Sequence, residues 1–96
     1  MSKNQKDRTI YLTLSTTNYD DVTDCTVLNA FCKYDDAVKS VLHEIEVEKA
    51  DGCFAEDGCF AGQTPRMVSD DEMFFMDGDN WIHIFVEPIS LLSKFQ

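Results

Sequence analysis

The sequence predicts an α+β domain of order β-β-α-β-β, an antiparallel sheet with one helix packed on one face. Three observations predict it. Residues 9–15, TIYLTLS, alternate apolar and polar with the period of a strand. From Tyr34 the period changes, and Ala37, Val38, Val41, Leu42 and Ile45 fall on one helical stripe. Further on, EMFFM (72–76) and NWIHIFV (80–86) flank Asp77-Gly78-Asp79, a short-range hairpin signal.

Taken in order, the first strand points Ile10, Leu12 and Leu14 one way and Tyr11 and Thr13 the other. Residues 16–25, TTNYDDVTDC, are rich in turn formers, carry Asp20, Asp21 and Asp24, and read as a loop. TVLNAF, 26–31, reads as a second strand. The helix spans about 34–49 and leaves Asp35, Asp36, Lys39, Glu44 and Glu48 facing water. Asp35 and Asp36 in its first turn and Lys49 in its last suit the macrodipole, and Asp51-Gly52 supplies the stop. Residues 50–71 form a long connection holding a tandem repeat, DGCFA at 51–55 and again at 57–61. Its Phe54 and Phe60 are expected to tuck against the body or a partner. Pro88, which cannot donate to a ladder, is expected to end the last strand.

Alternation divides the C-terminal hairpin into two faces. Met73, Phe75, Ile82, Ile84 and Val86 share one; Phe74, Met76, Trp81, His83 and Phe85 share the other. A single helix covers one face, and the aliphatic set joined by Ile10, Leu12 and Leu14 is its natural seat. The second face, with Phe74, Trp81, His83, Phe85 and Tyr11, is too apolar to stand bare. Its expected covers are the 50–71 segment through Phe54 and Phe60, a second copy of the chain, or a foreign partner.

The chain is strongly acidic, with a formal charge of −10. Met1–Arg8, read as a flexible basic tail, carries Lys3, Lys6 and Arg8 against Asp7, so residues 9–96 hold seventeen acidic and five basic side chains, net −12. Such a charge repels itself and works against compactness. Ninety-six residues allow one domain, read as 9–96, and its 44% hydrophobic content excludes wholesale disorder. The polar start lacks a signal-peptide pattern and no run is long enough to span a membrane, so a cytoplasmic protein is expected. In that setting Cys25, Cys32, Cys53 and Cys59 are expected to be free thiols. Zinc would use these with His43 and His83, but C-x6-C and C-x5-C are not structural-zinc spacings.

No nucleophile elbow, phosphate loop or calcium loop is present, so no catalytic residue, metal or cofactor is assigned. Asp70, Asp71, Glu72, Asp77 and Asp79 place five carboxylates within ten residues, readable as a solvated rim, a patch for Lys and Arg, or a cation site. His83 between aromatics reads as packed and hydrogen-bonded, and His43 as a surface residue. The basic tail is too small to bind nucleic acid against the remaining charge.

IYLTLS followed by AFCKYDDAVKSVL resembles a pattern of small phage and mobile-element proteins, in which a strand ending in Phe runs into a helix and an aromatic-rich strand closes the sheet. Phe31, Asp35-Asp36 and Ala37 carry the likeness; Lys33 departs from it where a capping Ser is expected. The resemblance covers about half the chain and implies an accessory protein, several such acidic proteins being inhibitors of host defence or transcription. The leading expectation is therefore a non-enzymatic nucleic-acid mimic that binds a basic host protein: a defence nuclease, a CRISPR effector or a polymerase. Its contacts would be Asp20, Asp21, Asp24, Glu44, Glu48, Asp70, Asp71, Glu72, Asp77 and Asp79. The alternative is a homodimeric structural or regulatory protein that binds through its aromatic sheet face.

Overall fold

The structure, a computed structural model, describes residues 8–91. Apart from Arg8, the basic tail lies outside those residues. The elements are β1 (Arg8–Tyr19), β2 (Val22–Phe31), α1 (Tyr34–Asp51), β3 (Met67–Ser69), β4 (Glu72–Asp77) and β5 (Asn80–Leu91). They form one antiparallel sheet in the order β2-β1-β5-β4-β3 with a single helix, the expected α+β class with a short additional edge strand.

Residues 16–25 are not a loop. They are the ends of two strands joined by a two-residue turn at Asp20-Asp21, with Tyr19 paired to Val22. Both turn residues are left-handed, φ 53° and 67°, the signature of the type I′ turn that matches the twist of a hairpin. Aspartate tolerates that conformation better than most side chains. Polar β-branched Thr16, Thr17 and Thr23 continue the ladder around it.

The last strand does not stop at Pro88 but runs on to Leu91, paired only with β1. β4 ends at the level of Phe85, so Pro88 stands where one side of β5 has no neighbour and a missing donor is tolerated. The turn before β5 has Gly78 at φ 66°, as the first position of a type II′ turn requires.

The two faces of the C-terminal hairpin are divided as expected, but β1 is turned over relative to expectation. Thr13 is fully buried and its hydroxyl reaches the Ala37 carbonyl oxygen at 3.4 Å. Tyr11 meets the Tyr34 ring, and Tyr19 meets Phe60. By alternation Ile10, Leu12 and Leu14 therefore face away from the helix, and Tyr11 faces toward it. The cause is volume: α1 passes β1 at Ala37, which is itself fully buried, and leaves room for a threonine but not a leucine.

Along α1, Ala37, Val41 and Ile45 are buried, and Val41 and Ile45 share the core with Met73, Ile82 and Ile84. Leu42, expected in that stripe, is 46% exposed. Lys33 occupies the N-cap without a side-chain bond, so the helix start rests on its acidic first turn.

Phe54 and Phe60 do tuck inward, on the helix side. Their rings are 5.5 Å apart, and each meets Phe75, at 5.1 and 4.9 Å. The repeat thus extends the core past the end of α1. Gly58 allows this: a Cβ there would lie 2.4 Å from the carbonyl oxygens of Gly52 and Cys53, so only glycine lets the second copy fold back on the first.

Candidate functional site

The two hairpin turns meet at one end of the sheet. Asn18 Nδ2 donates to the Asp79 carbonyl oxygen at 2.8 Å, and the Asp20 amide donates to Asn80 Oδ1 at 3.0 Å. These bonds fix Asp20 and Asp21 beside Asp77 and Asp79, and all four side chains are exposed. Asp24 is exposed on the edge strand three residues past the first turn. Apart from Arg8 at the far end of β1, neither hairpin, 8–31 or 67–91, contains a lysine or arginine. Lys49, near the end of α1, is held by Glu46 at 3.3 Å.

The other predicted carboxylates do not join this tip. Asp70 and Asp71 form the turn at the opposite end of β4, about 20 Å away along a six-residue strand. Asp71 accepts from the Tyr34 hydroxyl and from Ser69, and that bond to a carboxylate raises the Tyr34 pKa. Glu72 lies on the open face against His83 Nε2, at 2.6 Å. The five carboxylates of residues 70–79 are therefore two groups, split by the length of β4.

Glu44 and Glu48 are not on the outer helix face. Both are half-buried at the flank of the core stripe, and the turn beyond α1 folds over Glu48. Glu48 accepts the Cys53 amide at 2.9 Å. Burial foremost, then the hydrogen bond and charge of Glu48, raise the Glu44 pKa. Nearby, burial foremost pushes the Cys53 thiol up to about 12, and burial foremost also raises the Tyr19 hydroxyl, with Cys53 and Cys59 adding to it. The Cys53 thiol and the Tyr19 hydroxyl hold their protons at neutral pH.

The second surface is the sheet face away from the helix. Phe85 stacks on His83 at 4.2 Å, Phe74 meets His83 edge-on at 5.6 Å, and Trp81 lies 6.1 Å from Phe74. Register adds Leu14 beside Phe85 and Thr16 beside His83. No described residue covers this face; its margins carry Val27 and Met76, 58% and 55% exposed. The expected internal cover by Phe54 and Phe60 is overturned, since both rings lie on the other side.

Sequence reasoning missed Leu12 and Leu14 as members of this face, and Asn18 and Asn80 as the ties of the acidic tip. The available signal for the tip was Asp20-Asp21 between two β-favouring runs. Among the described residues all four cysteines are free, no cluster of three or more His, Cys, Asp or Glu side chains suits a metal, and no helix is long and apolar enough to cross a membrane. No family model, curated protein or solved structure matches the chain.

Proposed function

We propose that the chain is a non-enzymatic inhibitor whose acidic tip occupies the nucleic-acid groove of a basic protein in the cytoplasm, with carboxylates standing where phosphates would sit. The junction of the two hairpin turns carries this reading, because it gathers Asp20, Asp21, Asp77 and Asp79 at one end of a rigid sheet without a neighbouring cation. Carboxylates so held meet Arg and Lys through charge-assisted hydrogen bonds, about twice as strong as neutral ones. Their mutual repulsion, unfavourable in the free protein, is relieved in a basic groove and steers encounter with it. The contact set is narrower than the sequence suggested: Asp20, Asp21, Asp24, Asp77 and Asp79. The target class is a nucleic-acid-binding enzyme such as a defence nuclease, a CRISPR effector or a polymerase.

The test is displacement of labelled duplex DNA from purified RNA polymerase and from a Cas9-type effector. The wild type is expected to displace DNA from at least one of them, with potency falling as salt rises from about 0.05 to 0.5 M. Replacing Asp20, Asp21, Asp77 and Asp79 together by Asn, which also tolerates positive φ, should reduce potency at least tenfold. The control pair Asp70→Asn and Asp71→Asn should stay within twofold. Undiminished potency in the fourfold variant, or indifference to salt, rejects the reading.

A further inference from the structure

α1 does not reach across the whole sheet. It packs mainly over β1, β5 and β2, whereas the sheet continues through β4 to β3. Between the helix flank and that last strand lies an open groove of about 630 Å³, lined by Val38 and Leu42 of α1 and by Met67, Val68, Ser69 and Asp70. Leu42, Met67 and Val68 are large, apolar and exposed, and they gather here. β3 is hydrogen-bonded only to β4, so its outer edge still offers backbone donors and acceptors. A tie between helix and turn fixes one end of the groove. The Tyr34 hydroxyl donates to one oxygen of Asp71 at 2.8 Å, and Ser69 donates to the other at 2.9 Å. Asp70, beside it, is exposed and makes no side-chain hydrogen bond or ion pair among the described residues.

We infer that this groove takes an extended, basic peptide segment of a partner protein, added as a strand to the edge of β3. Each part of the groove selects one feature of that occupant. The open edge takes an extended backbone, and strand alternation then turns every second side chain toward Leu42 and Met67, which calls for apolar residues two positions apart. The charge calls for Lys or Arg: no lining residue is basic, Asp70 is unengaged, and Asp35 is exposed in the first turn of α1. Lys39 lies on the other flank of the helix, in a hollow with Asn29 and Phe31. A second copy of the chain is a poor occupant, because its long edge strand β2 carries Asp24 and no Lys or Arg. β3 is only three residues long, so its backbone bonds are few and affinity rests on the apolar side chains and the ion pair. The groove lies at the start of β4 and the acidic tip at its end, so this inference stands apart from the inhibitor reading.

Selection from a displayed library of random peptides, about seven residues long, on the immobilised full chain tests it. Enriched peptides are expected to carry two aliphatic or aromatic residues at alternate positions with a Lys or Arg beside them. Measured as synthetic peptides by fluorescence polarisation, they should bind Leu42→Gln and Asp70→Lys at least tenfold more weakly than the wild type, while Glu56→Lys stays within twofold. Raising salt from about 0.05 to 0.5 M should weaken binding severalfold. N-methylation of the peptide backbone should abolish binding at every second residue and spare those between, because only one set of amides faces β3. Circular dichroism checks the variants for folding; if Leu42→Gln fails, Asp70→Lys and the N-methylation series decide. No enrichment, or enrichment of acidic or non-alternating peptides, overturns the inference. So does N-methylation without alternation, or full affinity in folded Leu42→Gln, which would place the peptide elsewhere, as on the β2 edge. A dimer of the chain alone that Leu42→Gln dissolves in sedimentation velocity would assign the groove to a second copy and overturn it too.

Discussion

On the helix side of β1 stand Thr13, Ser15 and Thr17; on its open side, one residue along, stand Leu12, Leu14 and Thr16. Between Tyr11 and Tyr19, the strand's smaller, more polar residues are thus on the covered face and its leucines are on the bare one. On β5 the covered face takes Ile82 and Ile84, while the open face takes Trp81, His83 and Phe85. A covered face selects for what fits beneath its cover, and Ala37 over Thr13 sets that limit for β1. An open face has no such limit and accumulates bulk.

The largest expected effect follows from the covered side. Phe60 is 1% exposed and packs on Tyr19, Phe54 and Phe75, so Phe60→Ala should cost about 3–5 kcal/mol in urea melts. Phe85→Ala removes a ring of the same size from the open face, and for dilute, monomeric protein should cost about 1 kcal/mol. Equal losses at the two sites would erase the distinction between the faces.

A sharper test reverses the usual rule. Thr13→Leu places a better hydrophobe at a fully buried position, yet should destabilise by about 1–3 kcal/mol, because Ala37 leaves no space and the hydroxyl contact is lost. A gain in stability from that substitution would show that Thr13 is retained for something other than fit.

The same contrast explains what could be read from the sequence. Helix, C-terminal hairpin and the division of its faces were legible, because Met73, Ile82 and Ile84 alternate with aromatics and the turn has a glycine that its geometry demands. The direction of β1 was not legible, because alternation states which residues share a side and not which side lies under the helix. That was decided by a contact across 24 residues, Thr13 to Ala37. The acidic tip was half legible. Its carboxylates were visible, but neighbours in sequence, Asp71 and Asp77, separate along a strand, whereas Asp20 and Asp79 come together across two. Glu48 was misplaced because the helical period cannot show that the following repeat folds back on it, and Glu44 because it lies one turn before Glu48 on the same flank.

That burial carries the smallest prediction, and its sign is unusual for a carboxylate. The folded Glu44 pKa is raised above the ordinary 4.5, by desolvation foremost and then by Glu48. Folding therefore favours the protonated form. The stability this contributes is full below the ordinary carboxyl pKa and is lost as pH rises through the folded value. At neutral pH the i,i+4 pair of like charges costs about 0.2–0.5 kcal/mol. Glu44→Gln removes the charge and keeps the shape, so its Tm should exceed that of the wild type by about 1–4 °C at pH 7. The gap should close toward pH 4, where the native carboxyl regains its proton. A gap that persists in acid would trace the gain to packing rather than to charge. Glu48 should not tolerate truncation in the same way, because its carboxylate accepts the Cys53 amide and ties the end of α1 to the repeat that completes the covered face.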